Sequence, residues 1–125
     1  MLESSVTYSV LPASNLQRAV DWYRDKLELE PERTGEGSAV YGTGTDAKIQ
    51  VYETENAGTA QNTAMGWMVD DIDAAVEHLR GRGVVFEDYD FPGLKTENGI
   101  ATNAEERAAW FTDSEGNILC ISQRS

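Results

Sequence analysis

A chain of 125 residues is the size of one ordinary domain, and 40% hydrophobic with 9% aromatic residues is enough to build a packed core. No apolar run approaches the roughly 18 residues that a membrane-spanning helix needs. Ten basic against 22 acidic residues give a net charge of −12, a surface that repels phosphate backbones and excludes nucleic acid as an expected partner.

Residues 6–11 are the first strand candidate. They lead into Leu16, Ala19, Val20, Tyr23 and Leu27, whose helical spacing predicts an amphipathic helix with Asn15 as its N-cap. A weaker strand follows around residues 30–34, confined by Pro31 to an edge or a strand start. Residues 39–41 and 48–53 complete the first half as strands, separated by the turn cluster Gly42-Thr43-Gly44. The second half opens the same way, with a strand at 65–69. A helix then carries Ile72, Ala75, Val76 and Leu79 on one stripe, with Asp71 or Asp70 as N-cap and Gly81 and Gly83 as stop signals. Strands at 84–86, 108–112 and 118–122 follow, the last two joined by Ser114-Glu115-Gly116-Asn117. Residues 90–103 form a long connection with turn signals at Pro92-Gly93 and Asn98-Gly99 and apolar anchors Phe91, Leu94 and Ile100. Loops of this length are often functional, so it reads either as a lid over one mouth of a cleft or as a surface excursion. Arg107 and Trp110, just beyond, read as a cation and an aromatic plane at that mouth.

An offset of 56 residues places Asp71 on Asn15, Ile72 on Leu16 and Val76 on Val20. Two βαβββ repeats, about 5–55 and 63–123, therefore predict a single α+β domain over 1–125: a curved mixed sheet around a cleft, helices on the outer face. Strand alternation assigns the faces. Gln50 and Tyr52 oppose Ile49 and Val51. Tyr8 shares a face with Val10. Cys120 lies between core-facing Leu119 and Ile121, and Ala64, Gly66 and Met68 oppose Met65, Trp67 and Val69. Trp110 is ambiguous, because Ala109 and Phe111 could equally turn inward. A cleft lined by Tyr8, Gln50, Tyr52, Met68, Trp110 and Cys120 suits an apolar or aromatic small molecule. The competing reading is that these side chains merely fill the concave face.

Cys120 is the only cysteine, which excludes an intrachain disulfide, and His78 is the only histidine. His78 falls on the polar side of the second helix, so Cys120 has no histidine base and reads as an inert thiol. Nucleotide-phosphate motifs are absent. Residues 1–5 lack the basic stretch and apolar run of a signal peptide, so a cytoplasmic location is expected, with no membrane partner. Lysine supplies only 3 of the 10 basic residues, a balance that would suit a salt-rich cytoplasm.

The helix entry Val69-Asp70-Asp71-Ile72-Asp73-Ala74-Ala75 and the turn Asp113-Ser114-Glu115-Gly116-Asn117 before the last strand resemble the vicinal oxygen chelate superfamily, which includes glyoxalase I, bleomycin-resistance proteins and extradiol dioxygenases. The resemblance implies paired repeats lining a cleft, often completed by a homodimer. In the enzymes it implies a divalent metal held by His, Gln and Glu. The matching positions here are Tyr8, Gln50, Ala64 and Cys120, which lack that donor set. The expected function is therefore metal-independent binding or sequestration of a small molecule, with no cofactor, by a homodimer. A metal-dependent lyase or dioxygenase and a metal-free isomerase are the enzymatic alternatives, and an interaction domain with a filled cleft is the third class.

Overall fold

The computed structural model describes residues 1–44 and 46–124. The chain forms two compact units, Met1–Ala60 with Ser114–Asn117, and Gln61–Asp113 with Ile118–Ser125. After a short 3-10 turn, the first unit runs β1 (Tyr8–Ala13), α1 (Leu16–Leu27), β2 (Arg33–Gly35), β3 (Ser38–Thr43) and β4 (Ala47–Glu53). Its four-stranded mixed sheet has the order β1-β4-β3-β2, with β1 parallel to β4 and the other pairs antiparallel. As expected from Pro31, β2 starts only after the proline and lies at the edge.

The second unit runs β5 (Thr63–Met68), α2 (Ile72–Gly81), β6 (Asp90–Phe91), β7 (Leu94–Glu97), β8 (Ile100–Thr102), β9 (Glu106–Thr112) and β10 (Ile118–Arg124). Its order, β5-β10-β9-β8-β7-β6, repeats the first pattern and extends it by two strands. This α+β architecture, one helix over one face of each open mixed sheet, is the one the internal repeat predicts.

Both helices start as their sequences dictate. The Asn15 and Asp71 side chains accept hydrogen bonds from the Arg18 and Ala74 backbone N–H groups at 3.0 and 3.1 Å. Each helix then buries its apolar stripe. Ala19, Val20 and Tyr23 cover Leu11, Ala39, Tyr41, Ile49 and Val51, with Tyr23 stacked on Tyr41 at 5.6 Å. Ile72 and Val76 lie with Ala109, Phe111, Leu119 and Ile121 in the second core.

Two expectations are corrected in the second unit. Residues 84–86 form no strand; Phe86 makes an isolated bridge to Phe111, and the Glu87 N–H donates to Trp110 O at 2.8 Å. The edge of β9 is divided: β8 takes Arg107 and Ala108, leaving only its far end for Phe86. Residues 90–103 are accordingly not one long loop but three short strands that widen the sheet. Of their expected anchors, Ile100 is buried and Leu94 half-buried, while Phe91 is exposed and packs edge-on against Tyr89. No described helix is long and apolar enough to cross a membrane.

Candidate functional site

In the first unit, strand register sets the face away from α1. Tyr8, Val10 and Pro12 pair with Lys48, Gln50 and Tyr52 across the β1–β4 ladder, and Gly42, Val40 and Ser38 continue the same rows on β3. Tyr8 is 62% exposed, Val10 49% and Tyr52 40%, whereas Ile49 and Val51, one residue to either side of Gln50, are at most 3% exposed. Tyr8, Gln50 and Tyr52 thus share one open face, and their own chain does not pack it solid.

Lys48 belongs to this face and escaped the sequence reading. Its Nζ donates to both carboxylate oxygens of Glu32, at 2.8 and 2.7 Å. The pair lies over Gly42, where a Cβ would collide with the Glu32 carboxylate and come within 3.3 Å of the Lys48 ammonium. The parity of Lys48 was legible, but its partner arrives from outside β4, through the Glu32 N–H bonded to Val40 O at 2.7 Å.

In the second unit, Gly66 and Met68 pair with Cys120 and Ser122, and Cys120 pairs with Trp110. Met68, Trp110 and Cys120 therefore share the face away from α2. This resolves the position of Trp110, since Ala109 and Phe111 are fully buried on the other side. Trp110 is held in place: its Nε1 donates to Thr63 Oγ1 at 3.1 Å, and Tyr89 meets its ring edge-on at 5.7 Å. Neither partner was foreseen. A register shift at the start of the β5–β10 ladder brings Thr63 opposite Ile118, and no sequence pattern signals it. Met68 is 68% exposed, and Cys120 is half-buried. Burial, then the nearby Glu106 charge, push the Cys120 thiol up to about 11, so it is protonated at neutral pH.

Arg107 does not join Trp110. It lies on the α2 side, donating to both oxygens of Asp73 at 2.7 and 2.9 Å. It lines a cavity of about 450 Å³ together with Asp73, Lys95, Glu97, Asn98 and Ile100. That cavity exists because β7 and β8 extend the sheet beyond the helix, which sequence periodicity alone did not reveal.

The positions matched to metal ligands hold a phenol, a neutral amide, a methyl group and a thiol. This set does not fit a divalent metal. Among the described residues there is no cluster of three or more His, Cys, Asp and Glu able to hold one.

Two βαβββ units, each with its helix on one sheet face and polar and aromatic side chains on the other, define an α+β protein of the paired-repeat class. The model of the Glyoxalase/Bleomycin resistance protein/Dioxygenase superfamily matches residues 5–121, and the chain belongs to that superfamily. Among solved structures, the chain is similar to TnmS3, an antibiotic binding protein from Streptomyces sp. CB03234, at 21% identity and TM-score 0.69, covering 100% of this chain and 99% of that one. It is similar to a glyoxalase/bleomycin resistance protein from Catenulispora acidiphila at 25% identity and TM-score 0.68, covering 96% and 98%. A glyoxalase/bleomycin resistance protein/dioxygenase from Alicyclobacillus acidocaldarius matches at 17% identity and TM-score 0.70, covering 97% and 92%. Comparison with curated proteins finds no match.

Proposed function

We propose that this protein binds a small apolar or aromatic molecule without the help of a metal, as a binding or sequestering protein. Each sheet offers its own candidate contacts: Tyr8, Gln50 and Tyr52 on the first, and Met68, Trp110 and Cys120 on the second. The observation that carries this reading is the contrast across the first sheet. The helix face is closed, while Tyr8, Val10 and Tyr52 stay uncovered around a half-buried amide. Uncovered apolar side chains grouped around a polar group are what a ligand surface requires. The description of TnmS3 as an antibiotic binding protein supports the same reading. The 1–125 chain is proposed to act as one domain, as a twofold homodimer in the cytoplasm.

A thermal-shift screen against planar apolar compounds tests the function. A ligand at 100 times its Kd stabilises the native state by about 2.7 kcal/mol, a Tm rise of several degrees for a domain this size. The expected result is a rise that Tyr8→Ala and Tyr52→Ala abolish. A screen without a single responder, or stoichiometric zinc, iron, manganese or nickel found by elemental analysis of the purified protein, would overturn the metal-independent reading. Sedimentation of a species near 13.8 kDa at micromolar concentration would overturn the dimer.

A further inference from the structure

We infer that the ligand of the first sheet is an organic anion, an acidic head on a planar apolar body, and that Lys48 is the residue that selects it. The inference rests on the binding face proposed above and names the chemistry of its occupant. On this face three charged side chains gather: Lys48, Glu32 clasped to it, and Arg33, whose register partner is Val40. Among the described residues Arg33 has no ion pair. The local balance is one positive charge in excess, on a chain whose balance is −12. A protein this acidic repels anions generally, so local cations are what admit one.

The face is also polar at one end and apolar at the other. Tyr8 is the register partner of Lys48, and Gln50 is the next residue along the same face. A phenol, an ammonium and a carboxamide thus offer three kinds of donor close together. Two residues further on, Tyr52 pairs with Pro12 and Ser38, next to the row of Val10 and Val40. An acidic head at Lys48 would leave the ligand's body against Val10, Val40 and Tyr52. Glu32 holds the ammonium in place but uses at most two of its three protons. It also competes with the ligand for them. Gly42 makes room for the clasp, since any Cβ there would collide with the Glu32 carboxylate.

This competition gives the inference a sign. Removing the Lys48 charge should weaken an anion, and removing the Glu32 charge should strengthen it. A matched pair of dyes supplies the probe: 8-anilinonaphthalene-1-sulfonate, which is anionic, and N-phenyl-1-naphthylamine, which has the same ring system and no charge. Fluorescence titration of the full chain should show Lys48→Met weakening the sulfonate about tenfold, the scale of one charge-assisted hydrogen bond. Glu32→Gln should tighten it several-fold, and the neutral dye should move less than twofold in both variants. Tyr52→Ala should weaken both dyes. Lys48 and Glu32 are surface side chains, and unchanged circular dichroism of both variants verifies the fold. If Tyr52→Ala weakens both dyes but Lys48→Met and Glu32→Gln leave the sulfonate unchanged, the face binds ligands without selecting anions and the inference is overturned alone. If neither dye binds, or Tyr52→Ala affects neither, the proposed binding face falls and the inference with it.

Discussion

Arg18 holds Glu115 with a two-pronged grip, donating from Nε to Oε2 at 2.8 Å and from Nη2 to Oε1 at 3.0 Å. The same carboxylate accepts from the Asn15 N–H at 3.0 Å and from Ser114 Oγ at 2.7 Å. It therefore satisfies a free amide at the start of α1 and places negative charge at that helix N-terminus, where the dipole favours it. The turn Ser114–Asn117 joins β9 to β10 yet belongs to the first unit. There Asn117 Nδ2 also donates to Pro12 O at 2.9 Å.

This arrangement makes stability depend on acid. Burial alone would raise the Glu115 carboxyl, but the hydrogen bonds from Arg18, Ser114 and Asn15 overcome it and hold the group at about 2, against 4.5 for the free side chain. A carboxyl depressed by folding contributes stability that is complete above the unfolded value and is lost as pH falls through the folded one. The urea midpoint should therefore fall between about pH 5 and pH 2 in the native chain. Glu115→Gln should lower the midpoint at pH 7 and make the acid fall shallower. An acid profile unchanged in that variant would assign the loss to other carboxylates.

Gly116, in the same turn, has φ +86°, and a Cβ there would come within 2.8 Å of the Gly58 Cα. Gly93, with φ +88°, has nothing within 4 Å of the same position. Gly93→Ala should cost about 1 kcal/mol, the conformational term alone. Gly116→Ala should cost distinctly more, because backbone must move as well. Equal losses in chemical denaturation would show that the turn tolerates displacement.

The two faces of each sheet should respond differently to truncation. Leu119 is fully buried, and Leu119→Ala should lose about 2–5 kcal/mol. Val51→Ala should likewise destabilise, since Val51 is 1% exposed. Tyr8→Ala, at a side chain 62% exposed, should stay within about 0.5 kcal/mol. Comparable losses in all three would mean that the open face is structural.

Cys120 should behave as an unreactive thiol. With its pKa at about 11, chiefly from burial, its thiolate fraction at pH 8 is about two orders of magnitude below that of a free cysteine. Iodoacetamide labelling followed by intact mass should be correspondingly slow in the native protein and rapid in guanidinium. Labelling at the free-cysteine rate under native conditions would show that the site opens.

Periodicity made the repeat, both helices and the face of every expected site residue except Trp110 legible, because each depends on a local spacing read against a buried core. Asn15 and Asp71 announced their caps for the same reason. Contacts between residues far apart in sequence were not legible. Glu115 serves a helix about 100 residues earlier, Glu32 reaches Lys48 through an irregular strand entry, and Thr63 meets Trp110 through a register shift. The strands within 90–103 are only two to four residues long, too short to display an alternation in the sequence. Pro92-Gly93 and Asn98-Gly99 were correctly placed as turns, but the strand pairing that they permit depends on side chains elsewhere.

Thr96 and Asp88 supply that dependence. Thr96 is 8% exposed; its hydroxyl accepts from the Tyr89 N–H at 2.8 Å and donates to Asp88 Oδ1 at 2.9 Å, and the same oxygen accepts from the Gly99 N–H at 2.9 Å. One threonine and one carboxylate thus tie the entry to β6 to strand β7 and to the β7–β8 turn. Thr96→Val keeps the shape and removes the hydroxyl, leaving a Tyr89 amide unpaired, a defect worth about 1–3 kcal/mol. If the extension opens as a local unit, hydrogen exchange should quicken over residues 89–102 while the amides of β10, in the sheet's interior, keep their rates. A uniform rise across the second unit would show instead that the extension and the core unfold together, and that the added strands are integral to the sheet.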